Sequence, residues 1–484
     1  MKNTIYLWLI FAQFAQSQNS IQQSINIFVN NPLLKHASVG ISVVDLDSNY
    51  TVAAYQPNLS LIPASTLKLL VTSSALGILG PDYTYITEII TEGESSINGE
   101  LRGNLVIKGS GDPTLGSPVL TNATSMEDLE KLIIETLSSL NIKKINGYVI
   151  ADETIFSSSV LPDSWQWDDL GNYYGAGSYG LNILDNTFEL EFERSLMLGN
   201  IAQVKTTYPK LIGLNFKNQV KLAPQGTGDQ AYIFGEPNST ERMLRGTIPI
   251  GNSPFKIKGA LPNPPLFLAS KLKDTLEQIG IPVLKGAATR GDLILAGINP
   301  MDNATRRARV YSPPLTEIVN EVNLLSMNMY AETLLKTISV FKGRQGDTED
   351  GIAIEKEFWN SKGLNFSGVF LKDGSGLSAR NAIPARFLTE LLTLIYKDEK
   401  IYPHFYKSLP VAGVSGNQKE RMKNSPASGN LRVKSGTLER VKGYAGYFEK
   451  NMKKYAFSIL VNNYEGSHSD IRKEIESLMI AFCK

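Results

Sequence analysis

The chain has 484 residues, 42% of them apolar, which is enough for about three domains of roughly 150 residues each. Its 48 basic and 47 acidic side chains give a formal net charge of +1, so it has no broad cationic field for a nucleic acid or an anionic membrane. One cysteine, Cys483, and three dispersed histidines exclude internal disulfides, Cys-ligated zinc and HExxH metalloenzymes. Hydrolytic chemistry would therefore depend on Ser, Thr, Lys, Asp, Glu or Tyr.

Residues 1–17 have the composition of a secretory signal peptide. Lys2 precedes an apolar stretch from Ile5 to Ala12, and Ala15 and Ser17 put small residues where a signal peptidase cleaves. The apolar stretch is shorter than the ~20 residues that a spanning helix needs. We therefore expect an exported protein of the periplasm or cell envelope, with no transmembrane segment in the mature chain.

Hydrophobic periodicity and turn residues predict regular elements in the first third of the chain. Pro63 is expected to precede a helix that ends between Gly77 and Gly80, which places Ser65 and Lys68 in its first turn. The other predicted elements are a helix over 20–31, a hairpin starting at Ser38, a hairpin of Tyr83–Thr91 with Glu100–Ile107, a helix over Ser125–Leu140 capped by Ser125, and a strand over Tyr148–Ala151.

The amino-acid composition and the hydrophobic periodicity change twice in the remainder of the chain. Residues 153–263 are rich in aromatics, Gly, Asn and Pro without helical periodicity, and this predicts an irregular β-rich insertion. Helices and strands then return, predicted as helices over Leu266–Ile279, Leu315–Val340, Pro384–Lys397 and Ser469–Phe482, and strands over Gly368–Leu371, Leu431–Val433, Tyr444–Phe448 and Ala456–Val461. Helices at both ends around antiparallel strands predict an α+β domain whose first and last thirds meet.

Ser65 and Lys68 form the first candidate chemical site. Three residues apart on a helix, a hydroxyl and an amine lie on one face within reach of each other. The amine can take the hydroxyl proton only if its pKa falls from ~10.4 towards neutrality, which burial and a second cation both promote. Ser-x-x-Lys also begins at Ser253, Ser270 and Ser339, but only Ser65 follows a Pro-Ala helix start in an apolar setting.

Two further stretches complete a constellation. Ser326 and Asn328 offer a hydroxyl and an amide within an apolar stretch. Lys434-Ser435-Gly436-Thr437 ends a short predicted strand, where a lysine can meet a carboxylate, a glycine allows close approach of the backbone, and the next N–H can face an oxyanion. Each stretch alone is also compatible with a solvated helix face or a turn.

The three stretches in this order resemble the motifs Ser-x-x-Lys, Ser-Asp-Asn and Lys-Thr-Gly of the penicillin-binding proteins and serine β-lactamases. Met327 and Ser435 vary two of the motifs without removing a functional hydroxyl, amide or amine. The long separation of Ser65 from Ser326 is similar to that in the low-molecular-mass class C penicillin-binding proteins, the D-alanyl-D-alanine carboxypeptidase/endopeptidase family. The resemblance runs along nearly the whole mature chain.

This resemblance implies the fold class and a domain plan. The fold would be α+β, a transpeptidase/β-lactamase-like domain with an antiparallel sheet flanked by helices and two nested insertion domains. The catalytic domain would comprise residues 18–82 and 306–484, one insertion residues 83–152 and 264–305, and the nested β-rich domain residues 153–263.

The resemblance also implies the chemistry. Ser65 would attack the carbonyl carbon of the penultimate D-Ala of a peptidoglycan stem peptide, with Lys68 as general base and Ser326 relaying a proton. Substrate would be held by Asn328, Lys434, Ser435, Gly436 and Thr437, with Lys434 also keeping Lys68 neutral by charge repulsion. Asp152 would face the amino group of a diamino acid. β-Lactam antibiotics would bind the same site, and no metal, cofactor or nucleic acid is implied.

Other functions remain open on the sequence alone. A serine β-lactamase or esterase of the same superfamily would differ mainly in its rate of deacylation, and a non-catalytic cell-wall binder would keep the fold without the chemistry. An unrelated esterase would call for a GxSxG motif and a histidine partner; the chain has no GxSxG. The motifs also leave open whether the enzyme trims terminal D-Ala or cuts cross-links.

Overall fold

The computed structural model describes residues 20–484, so the predicted signal peptide lies outside the described residues. Within that range, no helix is long and apolar enough to cross a membrane. The helices in chain order are α1 (20–29), α2 (Lys68–Leu79), α3 (Met126–Ser139), α4 (Pro264–Gln278), α5 (Arg290–Leu295), α6 (Leu315–Leu324), α7 (Asn328–Phe341), α8 (Thr348–Ser361), α9 (Ala385–Lys397), α10 (Tyr402–Ser408) and α11 (His468–Phe482).

The strands are grouped in several sheets. In chain order they are β1 (Ser38–Asp45), β2 (Tyr50–Tyr55), β3 (Ser60–Leu61), β4 (Ile86–Ser95), β5 (Glu100–Lys108), β6 (Lys144–Ile145), β7 (Tyr148–Asp152), β8 (Thr187–Glu193), β9 (Gln203–Tyr208), β10 (Asn215–Asn218), β11 (Lys221–Ala223), β12 (Gln230–Phe234), β13 (Glu241–Pro249), β14 (Phe255–Ala260), β15 (Gly286–Thr289), β16 (Thr305–Tyr311), β17 (Ile383–Pro384), β18 (Arg432–Leu438), β19 (Val441–Lys450) and β20 (Lys453–Asn462).

The described residues divide into two compact units, the first built from residues 20–81, 315–327 and 351–484. Its five-stranded sheet has the order β18-β19-β20-β1-β2, and every neighbouring pair is antiparallel. The first and last parts of the chain meet where β1 pairs with β20 from Ser38–Asn462 to Asp45–Tyr455. This arrangement leaves β18, which carries the Lys434 motif, at one edge of the sheet.

Helices cover the two faces of this sheet. On one face, Ile41 and Val43 of β1 pack in a core with Ile25 of α1 and Ile475 of α11. On the other face, the Ser42 and Thr389 hydroxyls are 2.8 Å apart, which joins β1 to α9. Because side chains of a strand alternate between faces, β1 contributes to both layers and is buried along nearly its whole length.

The second unit comprises residues 82–314 and 328–350. A mixed sheet of order β15-β7-β5-β4-β16, with β6 beside β5, is packed against α4. Strands of residues 187–260 form two smaller sheets, β14-β8-β9 and one of β10, β13, β11 and β12. The boundaries of the nested domains stay a prediction.

Two predicted elements were wrong in detail. The helix predicted over Leu315–Val340 is two helices, α6 and α7, because the backbone at Ser326 turns left-handed with φ 64° and cannot continue an α-helix. Gly368–Leu371 forms no strand, since its ladder is limited to a single bridge from Phe370 to Ala382.

Candidate active site

A tight turn presents Ser65. Residues Ala64–Leu67 form a 3₁₀ turn after Pro63, and the Thr66 hydroxyl donates to the Pro63 carbonyl oxygen (2.7 Å). Ala64 holds a left-handed backbone with φ 48°, a conformation that costs a non-glycine residue of order 1 kcal/mol or more. Strain of this kind persists only where surrounding contacts impose it, and here it directly precedes the predicted nucleophile.

Lys68 lies beside Ser65, as the spacing predicts. It is the first residue of α2 and is fully buried, as is the whole stretch of the helix from Lys68 to Leu76. Its Nζ lies 3.1 Å from Ser65 Oγ and donates to the Ser375 carbonyl oxygen at 2.6 Å. The amine and the hydroxyl are therefore within the reach that proton transfer requires.

Other Ser-x-x-Lys pairs lack this setting. Lys256, which follows Ser253, binds the Glu189 carboxylate at 2.9 Å, and Lys273, which follows Ser270, binds Glu277 at 2.7 Å. These carboxylates raise the pKa of both lysines above the usual value. A lysine held cationic cannot accept a serine proton, so identical spacing produces different chemistry at these positions.

Ser326 and Lys434 form a second hydroxyl–amine pair. Lys434 Nζ donates to Ser326 Oγ at 2.8 Å and to the Ser435 carbonyl oxygen at 3.1 Å. Lys434 is fully buried, and this burial lowers its pKa well below the usual value, with the charge of Lys68 lowering it further. Repulsion between the two lysines is mutual, so the pair disfavours the state in which both amines are protonated.

The edge strand β18 approaches the Ser65 turn through Gly436. A Cβ on Gly436 would lie 2.8 Å from both the Ser65 nitrogen and the Pro63 carbonyl oxygen, so no larger residue fits without a backbone shift. On either side of it, Ser435 is half-buried and Thr437 is exposed. The motif predicted from sequence therefore lies directly against the predicted nucleophile.

The remaining predicted residues lie in the second unit. Asn328 is the first residue of α7, and its Nδ2 donates to the Tyr174 carbonyl oxygen at 2.8 Å. The Asp152 carboxylate, at the end of β7, accepts from the Thr154 hydroxyl (2.7 Å) and lies 3.6 Å from Arg290 Nε. A substrate-binding role for either residue stays a prediction.

Sequence reasoning missed several side chains and groups that support these motifs. Ser435 Oγ accepts from Asn417 Nδ2 at 3.1 Å and from Gln418 Nε2 at 3.4 Å, and Lys442 Nζ donates to Thr437 Oγ1. The Ser375 carbonyl that binds Lys68 belongs to Asp373-Gly-Ser-Gly, a turn in which Asp373 accepts from the Gly376 and Ser378 amides. The residues Asp-Gly-Ser-Gly predict such a turn but not its contact with Lys68, and the Asn417 and Lys442 contacts had no sequence signal.

Known relatives match almost the whole chain. It is 27% identical over 460 residues to a D-alanyl-D-alanine carboxypeptidase of Actinomadura sp. strain R39, covering 92% of this chain and 81% of that protein. It is 26% identical over 438 residues to D-alanyl-D-alanine carboxypeptidase DacB of Haemophilus influenzae, covering 88% and 86%. The crystal structure of penicillin binding protein 4 (dacB) from Haemophilus influenzae superposes with a TM-score of 0.78 at 24% identity, covering 92% of this chain and 95% of that one.

The likeness to that crystal structure confirms the predicted fold class, a penicillin-recognising α+β fold with an antiparallel sheet flanked by helices. A family model described as D-Ala-D-Ala carboxypeptidase 3 (S13) matches residues 21–482. This match confirms both the predicted family and the predicted class of enzyme, a serine-type D-Ala-D-Ala carboxypeptidase. The protein belongs to the D-Ala-D-Ala carboxypeptidase 3 (S13) family.

Proposed function

We propose that this chain hydrolyses the terminal D-Ala-D-Ala bond of peptidoglycan stem peptides through an acyl-enzyme on Ser65. The observation that carries the proposal is the 3.1 Å contact between Lys68 Nζ and Ser65 Oγ, made by a buried amine. A serine is a weak nucleophile until a neighbouring base takes its proton, and Lys68 is the side chain within reach.

In the acylation step, Ser65 Oγ forms a bond to the carbonyl carbon of the penultimate D-Ala while its proton passes to Lys68. The C–N bond to the terminal D-Ala breaks, and a proton relayed through Ser326 converts the leaving nitrogen to an amine. In deacylation, water adds to the acyl carbon and gives one of its protons, through Lys68, to Ser65 Oγ as the C–Oγ bond breaks, which releases the shortened peptide as a carboxylic acid. The 2.8 Å contact of Ser326 with Lys434 supports this relay, since it fixes the position of the Ser326 hydroxyl.

The edge of β18 would hold the substrate. Lys434, Ser435 and Thr437 would receive the terminal carboxylate, and the N–H groups of Ser65 and Thr437 would stabilise the oxyanion. In other enzymes one such donor contributes about 3–4 kcal/mol to the transition state. Support comes from the close approach of Gly436 to the Ser65 nitrogen. Asn328 would bind the peptide amide, and Asp152 the amino group of a diamino acid.

β-Lactams and the cell envelope belong to the same proposal. A β-lactam presents a reactive carbonyl next to a carboxylate, so it would acylate Ser65 as the peptide does. The Haemophilus influenzae protein has been crystallised in complex with a novel β-lactam. Because peptidoglycan is assembled outside the cytoplasmic membrane, the proposal includes export to the periplasm or envelope, as residues 1–17 predict.

The test compares Ser65→Ala with Ser270→Ala, since Ser270 begins the same Ser-x-x-Lys spacing but its lysine is paired with Glu277. Ser65→Ala should abolish labelling by a fluorescent penicillin and reduce D-Ala release by about 10⁶-fold, by analogy with serine-protease knock-outs. Ser270→Ala should retain both activities. Release of D-Ala by Ser65→Ala within about tenfold of the parent would contradict the assignment of the nucleophile.

Product masses from cross-linked muropeptides identify the reaction. Loss of one alanine indicates a carboxypeptidase, and conversion of dimers to monomers indicates an endopeptidase. Rapid turnover of penicillin would indicate a β-lactamase, and a chain that binds muropeptides without labelling or hydrolysis would be a non-catalytic binder.

A further inference from the structure

Lys442 lies opposite Thr437 in the active-site sheet and has no place in the mechanism above. The two residues are register partners in the antiparallel β18–β19 pair, so their side chains project from the same face. Lys442 Nζ donates to Thr437 Oγ1 at 2.5 Å. Lys442 is only 8% exposed, whereas Thr437 is exposed.

The contact fixes the hydrogen-bonding role of the Thr437 hydroxyl. An ammonium group can only donate, so Thr437 Oγ1 must accept from Lys442. The hydroxyl proton is then directed away from Lys442 and can be donated to a second acceptor. A carboxylate is such an acceptor, since in its ionised form it accepts only.

Charges around Lys442 add to this effect. The Glu476 carboxylate of α11 lies 3.5 Å from Arg472 Nε and 4.0 Å from Arg421 Nε, so two guanidinium groups already share it. This cluster of Lys442, Arg421, Arg472 and Glu476 has more cations than anions, so it favours the binding of an anion nearby. The titratable groups that face Lys442 or this cluster are Arg421 from the loop before β18, Glu439 from the turn between β18 and β19, Tyr444 from β19, Tyr464 from the segment after β20, and His468, Arg472 and Glu476 from α11.

We propose that Lys442 is a positioning residue that holds the Thr437 hydroxyl as a donor to the terminal carboxylate of the substrate. Lys442 thereby contributes to the preference for peptides with a free carboxyl end. This inference rests on the proposed function, because it requires that a carboxylate binds at Thr437. It assigns to Lys442 no contact with the reacting atoms.

Titration of Lys442 gives the proposal a second signature. Burial lowers the pKa of Lys442 to about 8, with the charges of Arg472 and Arg421 lowering it and Glu476 opposing them. Above that pH the neutral amine can accept from Thr437, so the hydroxyl is no longer constrained to donate to the substrate. Preference for a carboxylate should therefore decline as the pH rises through about 8.

The experiment uses the full chain and two peptides that end in D-Ala-D-Ala, one with a free carboxylate and one amidated at the C-terminus. Lys442→Met should lower kcat/KM for the free acid roughly tenfold, chiefly by raising KM, because the Thr437 hydroxyl is no longer held as a donor to the charged carboxylate. Hydrolysis of the amide should be unchanged. Lys442→Arg should restore the acid-to-amide ratio, since a guanidinium group also only donates.

Lys450→Met is the matched control. Lys450 lies on the same strand, is also 8% exposed, and binds Ser20 Oγ rather than a residue of the site. It should leave the acid-to-amide ratio unchanged. An equal ratio in Lys442→Met and the parent would overturn the inference, as would an equal loss in Lys450→Met.

A pH series keeps the test decisive if Lys442→Met does not fold. The acid-to-amide ratio of the parent should fall between pH 7 and 9, and that of Lys442→Arg should stay level. Identical profiles would overturn the inference alone, provided that the parent is labelled by penicillin and releases D-Ala. A parent that does neither overturns the proposed function as well.

Discussion

Ser326 combines the hydroxyl of the proposed proton relay with an unfavourable backbone conformation. Its φ of 64° lies in the left-handed region, which a residue with a Cβ adopts at a cost of about 1 kcal/mol or more. The same residue accepts a hydrogen bond from Lys434 at 2.8 Å. Glycine would adopt this backbone without strain, so a serine at this position supports the proposed role of its hydroxyl.

Ser326→Gly and Ser326→Ala separate backbone strain from chemistry. Both variants lose the hydroxyl that we propose relays the proton, so we expect D-Ala release to fall by roughly 10²–10⁴-fold in each. The glycine variant relieves the left-handed strain and should have a free energy of unfolding about 1 kcal/mol higher than the alanine variant. Urea unfolding and D-Ala release measure the two effects, and equal stabilities would show that the turn is not strained.

Gly436 is required for a different reason, the close approach of two backbones. Its missing Cβ would lie 2.8 Å from the Ser65 nitrogen, a contact that no side-chain movement can relieve. Gly436→Ala should therefore shift β18 away from Ser65 and slow acylation by penicillin at least tenfold, by displacing the proposed oxyanion donors. The rate is measured by stopping reactions with a fluorescent penicillin at successive times and quantifying the labelled protein.

Gly40→Ala in β1 of the same sheet provides the control. A Cβ there would meet the end of the Leu61 side chain at 3.1 Å, which can move. Labelling by this variant should proceed at the parent rate. Equal slowing in both variants would mean that the sheet as a whole, rather than the approach to Ser65, controls acylation.

At the scale of elements, the sequence predicted the parts whose signals are local. Pro63 and Gly80 bracket the helix that carries Lys68, and alternating apolar residues identified the strands that pair as β19 and β20. The Lys434 motif was placed on a strand, and the structure extends that strand through Thr437. These features depend on neighbours within a few residues, which is why they could be read from the chain.

The rest depends on contacts between distant residues. Nothing in the apolar stretch around Ser326 interrupts its periodicity, so the break between α6 and α7 could not be predicted; Lys434, from β18, binds the hydroxyl at that break. α8 was missed because Gly351 weakens its helical pattern. A contact with a distant part of the chain supports this helix, since Trp359 Nε1 donates to Ser74 Oγ of α2 at 2.9 Å.

The cap of α3 provides a prediction at this scale. The Ser125 hydroxyl accepts from the Asp128 amide at 3.0 Å, as the Ser-x-x-Asp pattern predicts. Ser125→Ala should lower the free energy of unfolding by about 1 kcal/mol. Ser138→Ala, on an exposed position inside the same helix, should change it by less than about 0.5 kcal/mol. Calorimetry of the two variants checks this, and equal effects would contradict a capping role for Ser125.

Across the whole molecule, buried lysines link function to stability. Burial lowers the pKa of Lys336 and of Lys442 to about 8 and that of Lys434 well below its usual value. The unfolded chain, with lysine pKa values near ~10.4, then binds more protons than the folded chain between about pH 8 and pH 10. The free energy of unfolding should therefore rise with pH in this range. Below it, Lys336 and Lys442 are protonated in both states, and the full cost of burying their charge lowers the stability of the folded chain.

Lys434 tests this linkage because its pKa is lowered both by burial and by the charge of Lys68. The parent should melt at a higher temperature at pH 9.5 than at pH 7. Lys434→Met removes a buried amine, so it should melt higher than the parent at pH 7, rise less between the two pH values, and lose D-Ala release. Lys407→Met, at an exposed position of α10, should keep the parent's pH dependence.

The series stops at pH 9.5 because tyrosines of the unfolded chain ionise near pH ~10. Burial raises the pKa of tyrosines such as Tyr447 in the folded chain, so at higher pH the folded chain binds more tyrosine protons than the unfolded chain and stability falls as the pH rises. An unchanged pH dependence in Lys434→Met would show that this amine carries no stability penalty.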